Sequence, residues 1–366
     1  MNSPIYVTQP VLPELDDFIP YLEQIWKNKI LTNCGPLHQQ LEKELCDYLG
    51  VEYISLFNNG TIALLTALQA LNLAEGEVIT TPYTFVATAH SIVWNKLTPV
   101  FVDIDPETSN IDPAKAEQAI TAKTVAIMPV HCYGIPCDVE YLQKIADQNN
   151  LKLIYDAAHA FGVKHLGQSL LNYGDLSVIS FHATKVFNTF EGGAVVCHSA
   201  EMKQRIDRLK NFGIVNETTI DDISLNGKLS EVHAALGLLQ LKSIDDALLA
   251  RKNIDRYYRE LFSDVDGILC IQRTLTETDN YSYFPIVISK SYLLNRDELF
   301  EELKKHNVFA RKYFYPIMTD LDIYKQYQSD TPKAKLLSEQ VLCLPMYPSL
   351  SFDECKYIVN IIKGIK

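Results

Sequence analysis

The sequence predicts an α/β fold, a large domain on a mostly parallel sheet followed by a smaller C-terminal α/β domain. Two observations carry this. Short apolar runs alternate with helical patterns of ten or so residues over the first half of the chain. Strands that alternate with helices in this way pair in parallel, and the helices cover both faces of the sheet. Further on, a long, charged, amphipathic stretch from Ser243 to Val265 is followed by a new set of strand and helix signals. The domain boundary is placed near its start, giving residues 1–242 and 243–366, and 366 residues suffice for a sizeable core.

The elements follow in order. Tyr21 to Trp26 read as a short helix, and ILTNCGP after it as a turn with Gly35 and Pro36. Leu37, Leu41, Leu45 and Leu49 share one helical face that stops at Gly50. VEYISLF is a strand that runs into Asn58-Asn59-Gly60-Thr61 and the helix TIALLTALQAL. Strand, tight glycine turn and helix is the arrangement in which free backbone N–H groups meet a phosphate. An NG turn that serves topology alone is the competing reading. A strand at Val78 to Thr80 leads to a helix over Val86 to Trp94, with Phe85 at the junction, where an aromatic is most often core. TPVFVDID is the next strand, and Asp112-Pro113 opens a helix with Asp as N-cap and Pro at the first position. TVAIMPVHCYG gives the next strand and Asp138 to Asn149 a helix; His131 at the strand end reads as packed or hydrogen-bonded rather than catalytic.

Two motifs then carry chemistry. LKLIYDAAHAFG is a buried strand that ends in Asp156, with His159 three residues on. A carboxylate at the C-terminal end of a parallel strand points into the crevice where such sheets bind ligands. Taken alone it could equally cap a following helix. SFHATKVFNTFEGGAV, Ser180 to Val195, is a strand end, a polar turn presenting Lys185, the pair Gly192-Gly193 and a returning strand. Lysine forms a Schiff base with an aldehyde, best where a partly dry pocket lowers its pKa. Most lysines beside turns are solvated charges, so it is the pairing with Asp156 that singles this one out.

Met202 to Asn211 read as a helix, and Gly213 to Leu225 as a polar, acidic loop of a length typical of lids or intersubunit arms. Ser230 is placed as the cap of a helix bearing Val232, Ala235, Leu236 and Leu239. The smaller domain reads as a strand pair, Gly267 to Gln272 and Tyr281 to Ser289, and three helices. Those helices open at Asn295 with Glu298, at Thr331-Pro332 and at Ser351 with Glu354. Between the first two lies ARKYFYPIM, where Arg311, Lys312, Tyr313 and Tyr315 combine charge and rings suited to a diphosphate and a base or sugar. A surface strand with solvated charges reads as well.

Composition narrows the classes. A net charge of −12 without a basic stripe argues against nucleic acid. The N-terminal stretch has no basic patch with an apolar run behind it, and no apolar run reaches the roughly 18 residues that span a bilayer. The eight cysteines are scattered with no second pair or histidine cluster to complete a zinc site beside Cys132 and Cys137. The reading is a cytoplasmic protein with reduced cysteines, no metal and no membrane partner. No G-x-G-x-x-G follows the first strand, which sets aside a nicotinamide enzyme.

DAAHAFG, then SFHATK, then EGGA, in that order, resemble the DegT/DnrJ/EryC1/StrS family of sugar aminotransferases over about Ile30 to Pro348. The resemblance implies a fold-type I enzyme that uses pyridoxal 5′-phosphate on nucleotide-linked keto sugars. It implies that Lys185 holds the cofactor and, once freed, acts as base and acid. Asp156 would keep the pyridine nitrogen protonated and His159 would sit near the ring oxygen. Gly60, Thr61 and Ser180 would anchor the phosphate, and Phe85 would stack on the ring. LNGKLSEVHAALG is similar to the family's LNYRMSEIQAALG, so Asn226 would reach the phosphate of the neighbouring subunit, in a homodimer with shared active sites. Gly227 and Lys228 depart from that pattern, as does the spacing between Pro82 and Thr84, one residue shorter than the family's. Arg311, Tyr313 and Tyr315 would line the substrate cleft. A dehydrating branch of the family replaces the lysine by histidine, so Lys185 argues for transamination. The similarity is nearest to the branch that moves an amine from L-glutamate to C4 of dTDP-4-keto-6-deoxy-D-glucose. Branches that give the galacto epimer or aminate C3 stay open, as does a regulatory homologue without turnover.

Overall fold

Leucines at every fourth position form the buried face of the helix Pro36–Leu49 in the computed structural model of the protein. Gly50, at φ 65°, closes that helix in the left-handed conformation that glycine adopts without strain. The structure describes residues 3–73, 75–273, 278–327 and 329–365.

The central sheet has seven strands, in the order Tyr53–Phe57, Gly193–Cys197, Leu176–Ser180, Lys152–Asp156, Thr124–Ile127, Glu77–Thr80 and Thr98–Phe101. Only Gly193–Cys197 runs against its neighbours; the other pairs in the sheet are parallel. Successive strand residues face opposite sides, and both sides are dry. Ile79, Leu153, Ile179 and Val196 enter one core, with the leucines of Pro36–Leu49. Val78, Ile154, Val178 and Val195 enter another, under the helix Gly60–Ala70. Each such side chain contributes about 1.5–3 kcal/mol by leaving water, so the apolar runs of these strands are explained by burial on both faces.

A separate core forms around Ile254, Tyr258 and Phe262 and the antiparallel strands Ile268–Cys270, Phe284–Ile288 and Val341–Leu344. Both expected capping boxes are present, Asn295 with Glu298 and Ser351 with Glu354. Ile5 belongs to this core, because Ile5–Tyr6 pairs in parallel with Val308–Phe309.

Four expectations are corrected. The first helix is Leu15–Asn28, not Tyr21 to Trp26, and continues through Pro20. The stretches behind Ser230 and from Ser243 are one helix, Glu231–Phe262, unbroken across residues 242 and 243. Its 32 residues extend about 48 Å and are buried in the sheet core at one end and in the C-terminal core at the other. No glycine or proline interrupts residues 238–262, so nothing local stops the helix. Ser230 stands at its N-cap position but its hydroxyl bonds His233 Nδ1 and not a backbone N–H. The segment Gly213 to Leu225 is not a plain loop: Ile214–Asn216 and Thr219–Ile220 pair as an exposed hairpin.

All eight cysteines are free, and the described residues contain no cluster of histidines, cysteines and carboxylates that could hold a metal. Among them no helix is long and apolar enough to cross a membrane. His131 is packed, as expected, stacked on Tyr155 at 4.5 Å with Nδ1 accepting from the Cys137 N–H.

Candidate active site

Parallel strands bring their C-terminal ends to one edge of a sheet, and a cleft of about 270 Å³ opens there. Tyr53–Phe57 delivers the Asn59–Gly60 turn, Lys152–Asp156 delivers Asp156, and Leu176–Ser180 delivers Ser180 and the loop behind it. The reversed strand begins at the same edge, with Gly193 opposite both Ser180 and Phe57. A Cβ on Gly193 would lie 2.7 Å from the Gly60 nitrogen, so only glycine lets this turn sit against the lysine loop.

That loop is a rigid mount. Phe181 N–H donates to the Gly192 carbonyl and Thr189 N–H to the Phe181 carbonyl, while Lys185 N–H donates to the His182 carbonyl. Beneath it Phe187 stacks on Phe161 at 4.5 Å and meets the edge of Phe181 at 5.0 Å. Lys185 thus enters the cleft from a fixed base. Desolvation holds its amine down to about 8, although Asp156 pulls the other way. Near neutral pH a useful share of the amine is therefore free to attack. The rate at which Lys185 condenses with an aldehyde should climb with pH and level off just above 8. A stopped-flow profile still climbing to pH 10 would show an ordinary lysine.

Asp156 forms the floor. It is buried; Oδ2 accepts from Thr88 Oγ1 at 2.7 Å and Oδ1 from the Ala158 N–H at 3.1 Å. No helix follows it to be capped. Burial pushes its carboxyl above the usual range, against the pull of Thr88, the Ala158 N–H and Lys185. Such a group favours a cation laid beside it. His159 is buried and kept neutral by desolvation. Its Nδ1 accepts the Tyr133 N–H at 3.2 Å, so the ring proton lies on Nε2. Phe314 lies parallel to that ring at 6.0 Å.

At one end the helix Gly60–Ala70 starts. The first N–H groups of a helix have no acceptor within it. Asn59 Oδ1 takes that of Ile62, and Gly60 and Thr61 line the cleft beside Ser180. The site therefore offers donors for an anion at one end, a carboxylate floor for a cation, and in the wall an amine of lowered pKa.

Of the residues singled out in the sequence, Gly60, Thr61, Phe85, Asp156, His159, Ser180, Lys185, Arg311 and Tyr313 all line this cleft. Phe85 is exposed at the start of Val86–Trp94. Arg311 lies over the Tyr313 ring at 4.8 Å. Tyr315 does not reach the cleft; it lies in an adjoining groove, under the Arg296 guanidinium at 4.5 Å. Asn226 is also outside it, exposed beside the Asn58 turn. Thr84 and Thr88 were missed. Their signal was the four-residue spacing in TPYTFVAT, which puts both hydroxyls on one side of a helix start. The Tyr83 and Tyr133 hydroxyls, each 2.7 Å from the Tyr313 carbonyl and 2.6 Å from each other, gave no signal.

Comparison with known proteins points to one family. The family model described as the DegT/DnrJ/EryC1/StrS aminotransferase family matches residues 14–363. The chain is 59% identical to a dTDP-4-amino-4,6-dideoxy-D-glucose transaminase of Shigella dysenteriae, over the whole of both chains. It is 52% identical to an enzyme of the same name from Escherichia coli, over 99% of each. Among solved structures, DesI, crystallised in the presence of its TDP-sugar product, superposes with a TM-score of 0.95 at 34% identity. That match covers 100% of this chain and 93% of DesI.

Proposed function

The chain belongs to the DegT/DnrJ/EryC1/StrS aminotransferase family, and from that we propose that it transfers an amine from L-glutamate to C4 of dTDP-4-keto-6-deoxy-D-glucose. The products are dTDP-4-amino-4,6-dideoxy-D-glucose and 2-oxoglutarate, the amino sugar serving O-antigen, lipopolysaccharide or another surface glycan. The observation that carries the reading is Lys185, a desolvated amine, in one cleft with Asp156, a buried carboxylate that no described cation pairs within salt-bridge distance. Full-length similarity to transaminases of that name supports the choice of sugar.

The residues fit pyridoxal 5′-phosphate. Asp156 would hold the ring N–H, His159 Nε2–H and the exposed face of Phe85 would bound the ring, and Gly60, Thr61 and Ser180 would take the phosphate. When bound, the cofactor supplies an aldehyde for attachment and a cationic ring that draws electrons from the adjacent carbon. Lys185 would hold the aldehyde and, with its amine free, would move a proton as base and then as acid. An amine held near 8 suits both tasks. Arg311 places a cation where a dianionic nucleotide sugar must enter an otherwise acidic protein.

The reading includes a homodimer in which Asn226 reaches the partner's phosphate. Its support is that Asn226 is exposed, and that the segment before it shows Phe212, Ile214, Val215, Ile220 and Ile223 to the outside.

Incubation of the purified protein with L-glutamate and dTDP-4-keto-6-deoxy-D-glucose, with NMR of the product, tests the function. An equatorial amine at C4 is expected. An axial amine would move the assignment to the galacto epimer, and an amine at C3 to the 3-amino branch. No turnover of glutamate would leave a regulatory homologue.

A further inference from the structure

The Asp156 carboxylate is held by hydroxyl groups where a buried anion would ordinarily need a cation. Thr88 Oγ1 lies 2.7 Å from Oδ2, and Thr84 Oγ1 lies 2.8 Å from Thr88 Oγ1. Both threonines are buried, Thr88 fully. Thr84 precedes the helix Val86–Trp94 and Thr88 lies within its first turn, and the docking of that helix against the sheet brings them to a residue 68 positions away. The other ionisable groups around Asp156 are Lys185, His159 and Cys132. His159 and Cys132 are kept neutral by burial, which among the described residues leaves only the Lys185 amine, itself partly deprotonated near neutral pH.

Proton directions in the relay are forced. An ionised carboxylate only accepts, so Thr88 must donate to Oδ2. With its one proton committed, Thr88 must accept from Thr84. The chain therefore runs from Thr84 to Thr88 to Asp156 and favours the charged form of the acid. The Ala158 N–H fixes the other oxygen. Two donors on two oxygens set the plane of the carboxylate and leave lone pairs for the cleft.

We propose that Thr88, backed by Thr84, is a positioning residue for the reaction, orienting Asp156 and keeping it in the carboxylate form that a cationic ring requires. This rests on the cofactor reading above. It makes the acid's charge a property of the TPYTFVAT segment as well as of the strand that carries it.

Holoenzymes of Thr88→Val, Thr88→Ser and Thr84→Val are the test. They are compared for kcat and KM in the half-reaction with glutamate, cofactor dissociation, and bound-cofactor absorbance against pH. Thr88→Val keeps the shape and removes the donor. A hydrogen bond to a charged group is lost, so kcat should fall by about tenfold or more, with KM for glutamate within about twofold if the bond acts on the chemistry alone. Cofactor should dissociate faster, and the pH midpoint of the absorbance should shift. Thr88→Ser, which keeps the hydroxyl, should restore both rate and midpoint. Thr84→Val should show a smaller change in the same direction, and it carries the test should Thr88→Val not fold. Equal losses in Thr88→Val and Thr88→Ser would mean that only packing matters and would overturn the proposal. So would unchanged rate and pH profile in Thr88→Val or, failing that variant, in Thr84→Val. A wild-type protein with no cofactor band and no glutamate turnover would instead sink the cofactor reading, which keeps the two failures apart.

Discussion

Lys185→Arg is expected to fold normally and to lose transamination by at least about a thousandfold. The loop that carries residue 185 is fixed by the Phe181, Thr189 and Lys185 backbone bonds and by the Phe161–Phe187 stack, none of which uses the lysine side chain. Stability should therefore change little. Chemistry should change greatly, because two functions leave together. A guanidinium is not deprotonated in a protein, so it neither condenses with an aldehyde nor removes a proton. Positioned acid–base catalysis alone is worth about 10² to 10⁴, and loss of covalent attachment adds to it. The lysine is also tuned: burial brings its amine to about 8, and a permanent cation in the same wall would repel the ring charge that Asp156 is placed to hold. Single-turnover assays with glutamate, and release of 2-oxoglutarate, measure the loss. An arginine variant within tenfold of the wild-type rate would remove Lys185 from the mechanism.

What could be read from the sequence was what is local. Lys185, Asp156, Gly60 and Thr61 stand at strand ends and turns whose apolar runs and glycines are visible over a few residues, and the structure brings them into one cleft. The mostly parallel sheet followed from the alternation of strands and helices, and the fold-type I architecture from the resemblance to the family. What was not legible depends on contacts between distant segments. The four-residue spacing of Thr84 and Thr88 is visible, but the acid it serves is not until their helix docks beside Asp156. Ile5–Tyr6 joins the C-terminal core through a pairing that spans almost the whole chain. The Tyr83 and Tyr133 hydroxyls converge on the Tyr313 carbonyl from separate elements. The long helix was divided in two because residues 231–242 are mostly apolar whereas residues 243–265 are charged and amphipathic. That difference is real, since its ends serve two cores, but it is no reason for the helix to stop.

The second large effect belongs to the floor of the cleft. Asp156→Asn keeps the volume and one oxygen to accept from Thr88 or from the Ala158 N–H. Its amide, however, cannot carry the negative charge that favours a protonated pyridine nitrogen. A neutral ring accepts electrons poorly, so proton removal from the amino donor should slow while the lysine remains competent to attach the aldehyde. Breaking a buried charge pair from one side costs about 3–5 kcal/mol, which corresponds to a fall in kcat of about a hundredfold to several thousandfold. Asp156→Ala should fare no better and should also destabilise the fold, because Thr88 Oγ1 and the Ala158 N–H would be left buried without an acceptor. The two substitutions thus separate charge from packing. Similar kinetic losses in both, with thermal stability reduced only in the alanine variant, are the expected pattern. If Asp156→Asn turned over glutamate at the wild-type rate, the carboxylate would be a structural anchor for the strand end and the Thr84–Thr88 relay would have nothing to sustain.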